Sequence, residues 1–309
     1  MPFMKSRKGF ALSIVMWIVA ALLLGIAFVL NISRENLTLT QDLQDKLEAR
    51  LEAQNYLEII KYYTIIADYD SYKLKNDVNI LNYTLPKEII LDGREYNLTK
   101  NVTLSMQDTS SMINLYYPVK QMIATLASED NEILYYTIRD SIKDWIDKDN
   151  EVSLNGAEES YYKNNKNASY KPRNYPVFQS VDELRLVRGI DILNEKQFNN
   201  LKKYINSSSS GSSINLALVD SKYLSKLLQI DIPTAIQLQS YKFDNYTKFV
   251  HTIRNNSNYN EDYMGFGLSF NIKVQININK RGTVSHLETY IDFKKNKYRG
   301  FTNRFYKIY

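Results

Sequence analysis

The sequence predicts an α+β protein in which a long amino-terminal helix precedes an antiparallel sheet interrupted by a large all-α insert. Three patterns predict this architecture: an uncharged apolar run near the amino terminus, strand-like alternation on both sides of the chain's middle, and helical periodicity between them. With 309 residues, of which 44% are hydrophobic, the chain is long enough to bury one large core or two smaller ones.

The run from Phe10 to Ser33 contains 24 residues without a charge. A helix of that length is about 36 Å long, which is enough to cross a hydrocarbon core of about 30 Å. The basic residues before it place the amino terminus in the cytoplasm and the bulk of the chain across the membrane. A cleaved secretory signal ending near Gly25 is the alternative, and the continuation of the apolar run past that point disfavours it.

The predicted helix continues beyond the membrane, because no Pro or Gly occurs between residues 26 and 67. One helix from Phe10 to Ala67 would be about 85 Å long. Apolar residues recur every four positions among charged ones at Leu39, Leu43, Leu47 and Leu51. This spacing drifts around the helix, so it favours an amphipathic spine over a heptad coiled coil.

Strand patterns follow the helix and return at the carboxyl end of the chain. Asp92-Gly93 predicts a hairpin turn between two short strands, and Lys280-Arg281-Gly282 predicts another turn. Alternation of apolar and polar residues from Phe266 to Ile278 predicts a half-buried strand, and we expect antiparallel pairing. The predicted strands are 88–91, 94–98, 102–107, 266–278, 284–293 and 301–308.

The segment between these strands has helical periodicity, and its serine-rich part at 207–213 predicts a flexible loop. The predicted helices are 129–146, 181–187, 195–205, 221–228 and 234–239. The resulting division of the chain is a leader (1–9), a transmembrane helix (10–33), its continuation (34–67), a discontinuous α/β domain (68–108 and 262–309) and a helical insert (109–261).

The composition excludes several classes of functional site. The chain has no cysteine, which excludes disulfides, thiol nucleophiles and thiolate metal sites. His251 and His286 cannot form a multi-histidine metal centre and stand in no catalytic motif, so we expect packing or surface roles and no enzyme. The net charge is +5, but the first nine residues carry three of these charges, and the remaining +2 attracts nucleic acid weakly.

The junction between the basic leader and the apolar helix reads K-S-R-K-G-F-A-L. It resembles the processing site of type IV pilin-like proteins. The resemblance implies that a prepilin peptidase cleaves between Gly9 and Phe10 and methylates the new amino terminus at Phe10. The family's usual glutamate at the fifth mature position, which neutralises the amino-terminal charge of the preceding subunit, is replaced by Ile14. A subunit with Ile14 fits a filament tip; an ordinary membrane anchor that never assembles is the alternative.

Three motifs follow in order: D-W-I-D-K-D from Asp144, G-A-E-E-S-Y-Y from Gly156 and E-L-R-L-V-R-G from Glu183. Together they resemble the GspK family, the large minor pseudopilins of type II secretion systems. The resemblance implies a pilin-like fold, an inner-membrane anchor with a periplasmic bulk, and a tip complex with two smaller minor pseudopilins, GspI-like and GspJ-like. This complex would cap and initiate the pseudopilus that supports protein export. Contact with the secretin or with secreted cargo, and a type IV pilus tip role instead, stay open.

An acidic segment follows the first of these motifs. Its carboxylates alternate and then recur eleven residues later, as oxygen ligands do around a hard cation, but Val152 replaces the turn glycine of an EF-hand. Spacing alone therefore favours a solvated acidic loop, whereas the resemblance to the GspK family implies calcium. The candidate ligands are Asp147, Asp149, Glu151 and Glu158, with Glu159 in reserve.

Residues 183–201 and 214–238 resemble the helix–hairpin–helix units of DNA-binding proteins, in which hairpin N–H groups contact a phosphate. Asp191 stands where a second glycine is expected, and the second hairpin, with Asp231, has no glycine. Because aspartates repel phosphate, we expect no nucleic-acid partner. A membrane-anchored DNA receptor of the competence type is the alternative function.

Overall fold

The computed structural model describes residues 8–77, 83, 85–115, 120–129, 131–165, 169–206, 213–292 and 302–308. The chain begins with one continuous helix, α1, which spans Lys8–Ile66 and contains 59 residues. Its amino-terminal half is long and apolar enough to cross a membrane. The single long helix that the sequence predicts is therefore confirmed, while leader residues 1–7 lie outside the described residues.

The remaining elements follow in chain order. The strands are β1 Asp68–Asp70, β2 Lys73–Lys75, β3 Glu88–Ile90, β4 Asp92–Asn97, β5 Val102–Asp108, β6 Ile113–Asn114, β7 Ile205–Asn206, β8 Ile214–Asn215, β9 Met264–Gly265, β10 Asn271–Lys280, β11 Thr283–Asp292 and β12 Thr302–Ile308. The helices after α1 are α2 Lys120–Ala127, α3 Glu132–Ile146, α4 Glu159–Asn165, α5 Glu195–Lys202, α6 Ser221–Leu228, α7 Ile232–Asp244 and α8 Tyr246–Arg254, with 3-10 turns at Thr109–Ser111 and Val181–Leu186.

The main sheet has five antiparallel strands in the order β12-β11-β10-β5-β4, and it packs against the second half of α1. Helix residues Ala49 and Ala53 are fully buried, and their small side chains let the helix approach the sheet closely. The alternating apolar residues of β10, which include Val274 and Ile276, are buried as the sequence predicts. The tip of the β10–β11 hairpin also holds the helix, because Lys280 Nζ lies 2.5 Å from the Glu48 carboxylate.

The predicted hairpin at Asp92-Gly93 is wrong. β3 pairs with β2 in a separate three-stranded sheet, whereas Asp92 and Gly93 both lie inside β4, which pairs with β5. The register shifts between Asp92 and Glu95, so the positive φ of Gly93 (+87°) serves a bulge and not a turn. A local turn signal cannot distinguish these two uses of glycine, since both require the same backbone conformation.

The helical insert leaves and re-enters the main sheet at adjacent positions, because Asp108 at the end of β5 pairs with Ile272 in β10. Asp108 is fully buried there. Its carboxylate accepts hydrogen bonds from the backbone N–H and hydroxyl of Ser110, from the same groups of Ser269, and from the N–H of Phe270. One carboxylate thus joins the two ends of the insert. The division into domains stays a prediction.

Several helix boundaries differ from the sequence prediction. The segment predicted as a helix at 181–187 is a 3-10 turn, α7 is longer than predicted, and α5 ends three residues early. Helices α2, α4 and α8 were not predicted; α8 is short, and only Phe249 and Ile253 mark its buried face. Most of the predicted serine-rich loop, 207–212, lies outside the described residues.

Candidate functional site

The site is built on the last two turns of α3. Asp140 and Asp144 are four residues apart, so they lie on the same face of the helix, and both are buried. The chain then turns back across them as the loop from 147 to 158. The Ser153 N–H donates to Asp144 Oδ2 (3.0 Å), and the Asn155 N–H donates to Asp140 Oδ2 (3.3 Å). These contacts fix the loop to the helix.

Gly156 allows the loop to lie this close to α3. A Cβ atom at this position would collide with the Asp144 carboxylate, so any side chain would displace either the loop or the aspartate. The close packing of the loop against the D-W-I-D motif therefore requires a glycine at the start of the G-A-E motif. Glu158 follows Gly156 by two residues.

Three carboxylates come together under the loop. Oxygens of Asp144, Asp147 and Glu158 all lie within 4.8 Å of one another. Asp144 and Glu158 are buried, at 0% and 2% exposure. Both oxygens of Glu158, Oδ1 of Asp144 and Oδ1 of Asp147 have no hydrogen-bond partner among the described residues. Buried carboxylate oxygens without a partner are costly, and an all-oxygen donor set matches the preference of calcium.

The electrostatics of the cluster point the same way. Burial raises the pKa of Glu158 to about 7, and the neighbouring charges of Asp144, Asp147 and Asp149 add to this effect. Burial also raises the pKa of Asp147, assisted by Asp149 and Asp144. Glu158 and Asp147 therefore resist ionisation beside the neighbouring carboxylates, and a bound cation would remove that repulsion.

The structure brings only part of the predicted ligand set together. Asp147 and Glu158 belong to the cluster, while Asp149 accepts a hydrogen bond from the Glu151 N–H in an exposed turn. Glu159 lies 2.6 Å from Lys163 in an ion pair. Sequence reasoning missed Asp144 as a cluster member. Its signal was the i, i+3 spacing to Asp147 at the end of a helix, combined with the nearby glycine.

Side chains of the third motif contact this loop and the end of α3. Arg188 donates from Nη1 to the Gly156 carbonyl (2.8 Å), and its guanidinium lies over the Tyr161 ring at 4.7 Å. Glu183 accepts from the indole N–H of Trp145 at 2.9 Å. The three motifs thus form one structural unit around the carboxylate cluster, although they are distant in sequence.

The first hairpin of the helix–hairpin–helix segments makes its contacts within the insert. The Gly189 N–H donates to the Asp191 carboxylate (2.9 Å), and a Cβ at Gly189 would lie 2.7 Å from Ile138 of α3. In the second hairpin Gln229 adopts a positive φ of 52° and ends α6. The first hairpin places a carboxylate where a phosphate would bind, and its glycine serves close packing.

The two histidines lie apart from the cluster's elements. His251 is exposed on α8 beside Asn255. His286 of β11 pairs with Asn277 of β10, and its Nδ1 lies 2.5 Å from Asn277 Oδ1. The predicted processing residues Gly9 and Phe10 fall in the first turns of α1, and Ile14 is 45% exposed on the same helix.

A second surface lies on α1, opposite the face that contacts the sheet. The leucines that the sequence places every four residues are not buried: Leu39, Leu43, Leu47 and Leu51 are 50–58% exposed. The buried residues on this part of α1 are instead Asp45, Ala49 and Ala53, and strands β10 and β11 pack against the helix. The part of α1 beyond the apolar run therefore presents an exposed apolar stripe. We call Leu39, Leu43, Leu47 and Leu51 the leucine stripe.

A family model described as type II secretion system protein K matches residues 117–206, which include the three motifs and the carboxylate cluster. This stretch of the chain is therefore similar to the protein K family, in agreement with the GspK resemblance inferred from the motifs. No curated protein matches the chain.

The fold has a match among solved structures. The crystal structure of the GspK–GspI–GspJ complex from the type II secretion system of enterotoxigenic Escherichia coli includes a chain that matches with a TM-score of 0.57. The match covers 87% of this chain and 99% of that chain at 15% sequence identity. At this identity the likeness shows the fold, and it confirms the predicted α+β architecture with a helical insert.

Proposed function

We propose that this protein is the large minor pseudopilin of a type II secretion system, and that it caps and initiates the pseudopilus together with two smaller minor pseudopilins. The protein K match and the shared fold support the secretion role. The related structure is a complex of GspK with GspI and GspJ, which supports the partners.

The leucine stripe is the observation that carries the assembly role. Leu47 and Leu51 stay exposed opposite the buried face of the helix, and Leu39 and Leu43 continue the stripe where α1 has no buried residue. Burying a leucine side chain is worth about 1.5–3 kcal/mol, so such a stripe favours association with other apolar helices. The partner helices would be the equivalent spines of the two smaller subunits.

The membrane helix and leader complete the assembly role. We propose that α1 anchors the chain in the inner membrane, that prepilin peptidase cleaves between Gly9 and Phe10, and that Phe10 is then methylated. Ile14 provides no carboxylate for the amino terminus of a preceding subunit, which suits a subunit at the tip. Substitution of Gly9 by valine would leave the leader attached, and immunoblotting for the unprocessed chain would test this.

We further propose that Asp144, Asp147 and Glu158 hold calcium. The ion would neutralise the buried carboxylates and fasten the loop to α3, so its contribution is structural. The unpartnered oxygens of the three residues support this assignment. No catalytic role is proposed. The hairpin contacts within the insert do not favour DNA binding, because Asp191 occupies the hairpin amide.

The assembly role can be tested in a secretion-competent strain from which this chain's gene is deleted. Complementation with the double variant Leu43→Glu/Leu47→Glu should abolish export, since two charges would enter a helix interface. The matched control is Ile232→Glu/Ile236→Glu, which places the same charges four residues apart on exposed positions of α7. Full export by the leucine-stripe variant would contradict the proposed contact.

A further inference from the structure

One apolar side chain of the insert is held in solvent by a rigid turn. Leu154 is 96% exposed and lies in the loop that covers the carboxylate cluster. The turn closes through a hydrogen bond from the Gly156 N–H to the Ser153 carbonyl (2.9 Å). Its flanks are tied to α3, because the Ser153 N–H donates to Asp144 and the Asn155 N–H donates to Asp140. These hydrogen bonds fix the backbone of the turn in the position in which the Leu154 side chain is exposed.

Beside Leu154 lies an open cavity of about 440 Å³ with basic walls. Lys120 of α2 and Arg139 and Lys143 of α3 line it, together with Gln121, Asp140, Ser153 and Leu154. Asp140 is already engaged, since it pairs with Arg139 at 2.7 Å and accepts from Asn155. Lys143 donates to a neutral partner, the Ser153 hydroxyl, at 3.0 Å. The lining therefore carries three cations and one carboxylate beside an exposed apolar side chain, and Lys120 and Lys143 also act electrostatically on the nearby Asp147 of the carboxylate cluster.

The insert lies far from the membrane that anchors the chain. It packs on the segment directly after α1, where Asn215 donates to the Ser71 carbonyl and Tyr72 stacks on Tyr246. Between Ser33 and Ile66, α1 rises about 50 Å. A protein surface is therefore a better candidate for contact with this basic cavity than the anionic lipid around the anchor.

We propose that Leu154 and the surrounding cations Lys120, Arg139 and Lys143 form a docking surface for an acidic segment of a protein partner. Carboxylates of the partner would meet Lys120 and Lys143, beside the Arg139–Asp140 pair, and one of its apolar side chains would cover Leu154. Charge complementarity sets the partner's chemistry, and the fixed turn reduces the conformational entropy that binding would otherwise cost. This surface is separate from the leucine stripe, so it adds a contact beyond pseudopilus assembly.

The test uses the full chain in detergent micelles and a fluorescein-labelled decapeptide of alternating glutamate and leucine. Fluorescence anisotropy should show binding that weakens about tenfold with Lys120→Glu/Lys143→Glu and similarly with Leu154→Ser. Leu154→Ser changes a side chain that is 96% exposed and does not take part in the backbone hydrogen bonds of the turn, so the fold should be retained. The matched control, Lys222→Glu/Ile232→Ser, alters one exposed cation and one exposed isoleucine elsewhere on the insert and should leave binding unchanged.

Two companion probes define the chemistry. A peptide with lysine in place of glutamate should not bind. Raising the salt concentration to about 0.5 M should weaken the binding of the acidic peptide. Equal binding of both peptides, or equal weakening by the control variant, would overturn the proposal. Binding to phosphatidylglycerol vesicles without binding to the acidic peptide would also overturn it, because the partner would then be lipid.

Discussion

Replacement of Glu158 by glutamine should have opposite effects on stability in the absence and presence of calcium. Glu158 is buried beside the carboxylates of Asp144 and Asp147, and its pKa rises from 4.5 to about 7. Because the folded state holds this proton more tightly than the unfolded state, the metal-free protein loses stability as the pH rises from about 4.5 to about 7. Each pKa unit corresponds to about 1.4 kcal/mol, so the loss reaches about 3 kcal/mol.

Glutamine keeps the size of the side chain and removes the charge. Without calcium, Glu158→Gln should therefore raise the free energy of unfolding at pH 8 by about 1–2 kcal/mol, less than the full difference because the buried amide also needs hydrogen-bond partners. At about pH 5 the variant and the parent should differ little, since Glu158 is then protonated. With calcium, the parent should gain stability and the variant should gain much less.

The assay is urea unfolding of the soluble part, Arg34 to Tyr309, at both pH values in chelator and in calcium. Trp145 follows Asp144 directly and is the only tryptophan in this fragment, so its fluorescence reports on the site itself. Glu159→Gln is the matched control, because Glu159 pairs with Lys163 outside the cluster. Destabilisation of the metal-free protein at pH 8 by Glu158→Gln would refute the reasoning, as would an unchanged calcium response.

Three further predictions follow from the same contacts. Gly156→Ala should lower the free energy of unfolding by about 2–4 kcal/mol and remove the calcium response, because the new methyl group displaces Asp144; Gly267→Ala, which has open space around it, should change neither. Asp108→Ala should cost about 3–5 kcal/mol in urea unfolding, since it leaves buried N–H donors unpaired; retained stability would contradict the joining role. Calcium affinity measured by titration calorimetry should fall as the pH is lowered through about 7, because Glu158 must lose its proton to bind the ion; a pH-independent affinity would contradict this.

The sequence predicted those features whose signal lies within one element. The uninterrupted apolar and amphipathic run predicted α1, and alternation in β10 predicted which residues face the core. The boundaries of α6 agree with the prediction because Asp220 caps its amino terminus and Gln229 ends it.

Features that depend on contacts between elements could not be predicted in this way. Asp92-Gly93 has the sequence of a turn, but pairing of β4 with β5 makes it a bulge. Spacing within the acidic loop favoured Asp149 and Glu151, whereas the fold selects Asp144 from the preceding helix because Gly156 lets the loop approach it. The leucine stripe was predicted as part of an amphipathic helix, yet the sheet packs on the opposite face.

The mass of the complex formed with two partners tests the central claim most directly. The fragment from Arg34 to Tyr309 would be mixed with the soluble domains of the two smaller minor pseudopilins from the same system, and the product measured by light scattering. The proposed tip role predicts one ternary complex containing one copy of each chain, which Leu43→Glu/Leu47→Glu should disrupt. A fragment that stays monomeric in the mixture would contradict the role, and a monomer that shifts duplex DNA at physiological salt would support the receptor alternative instead.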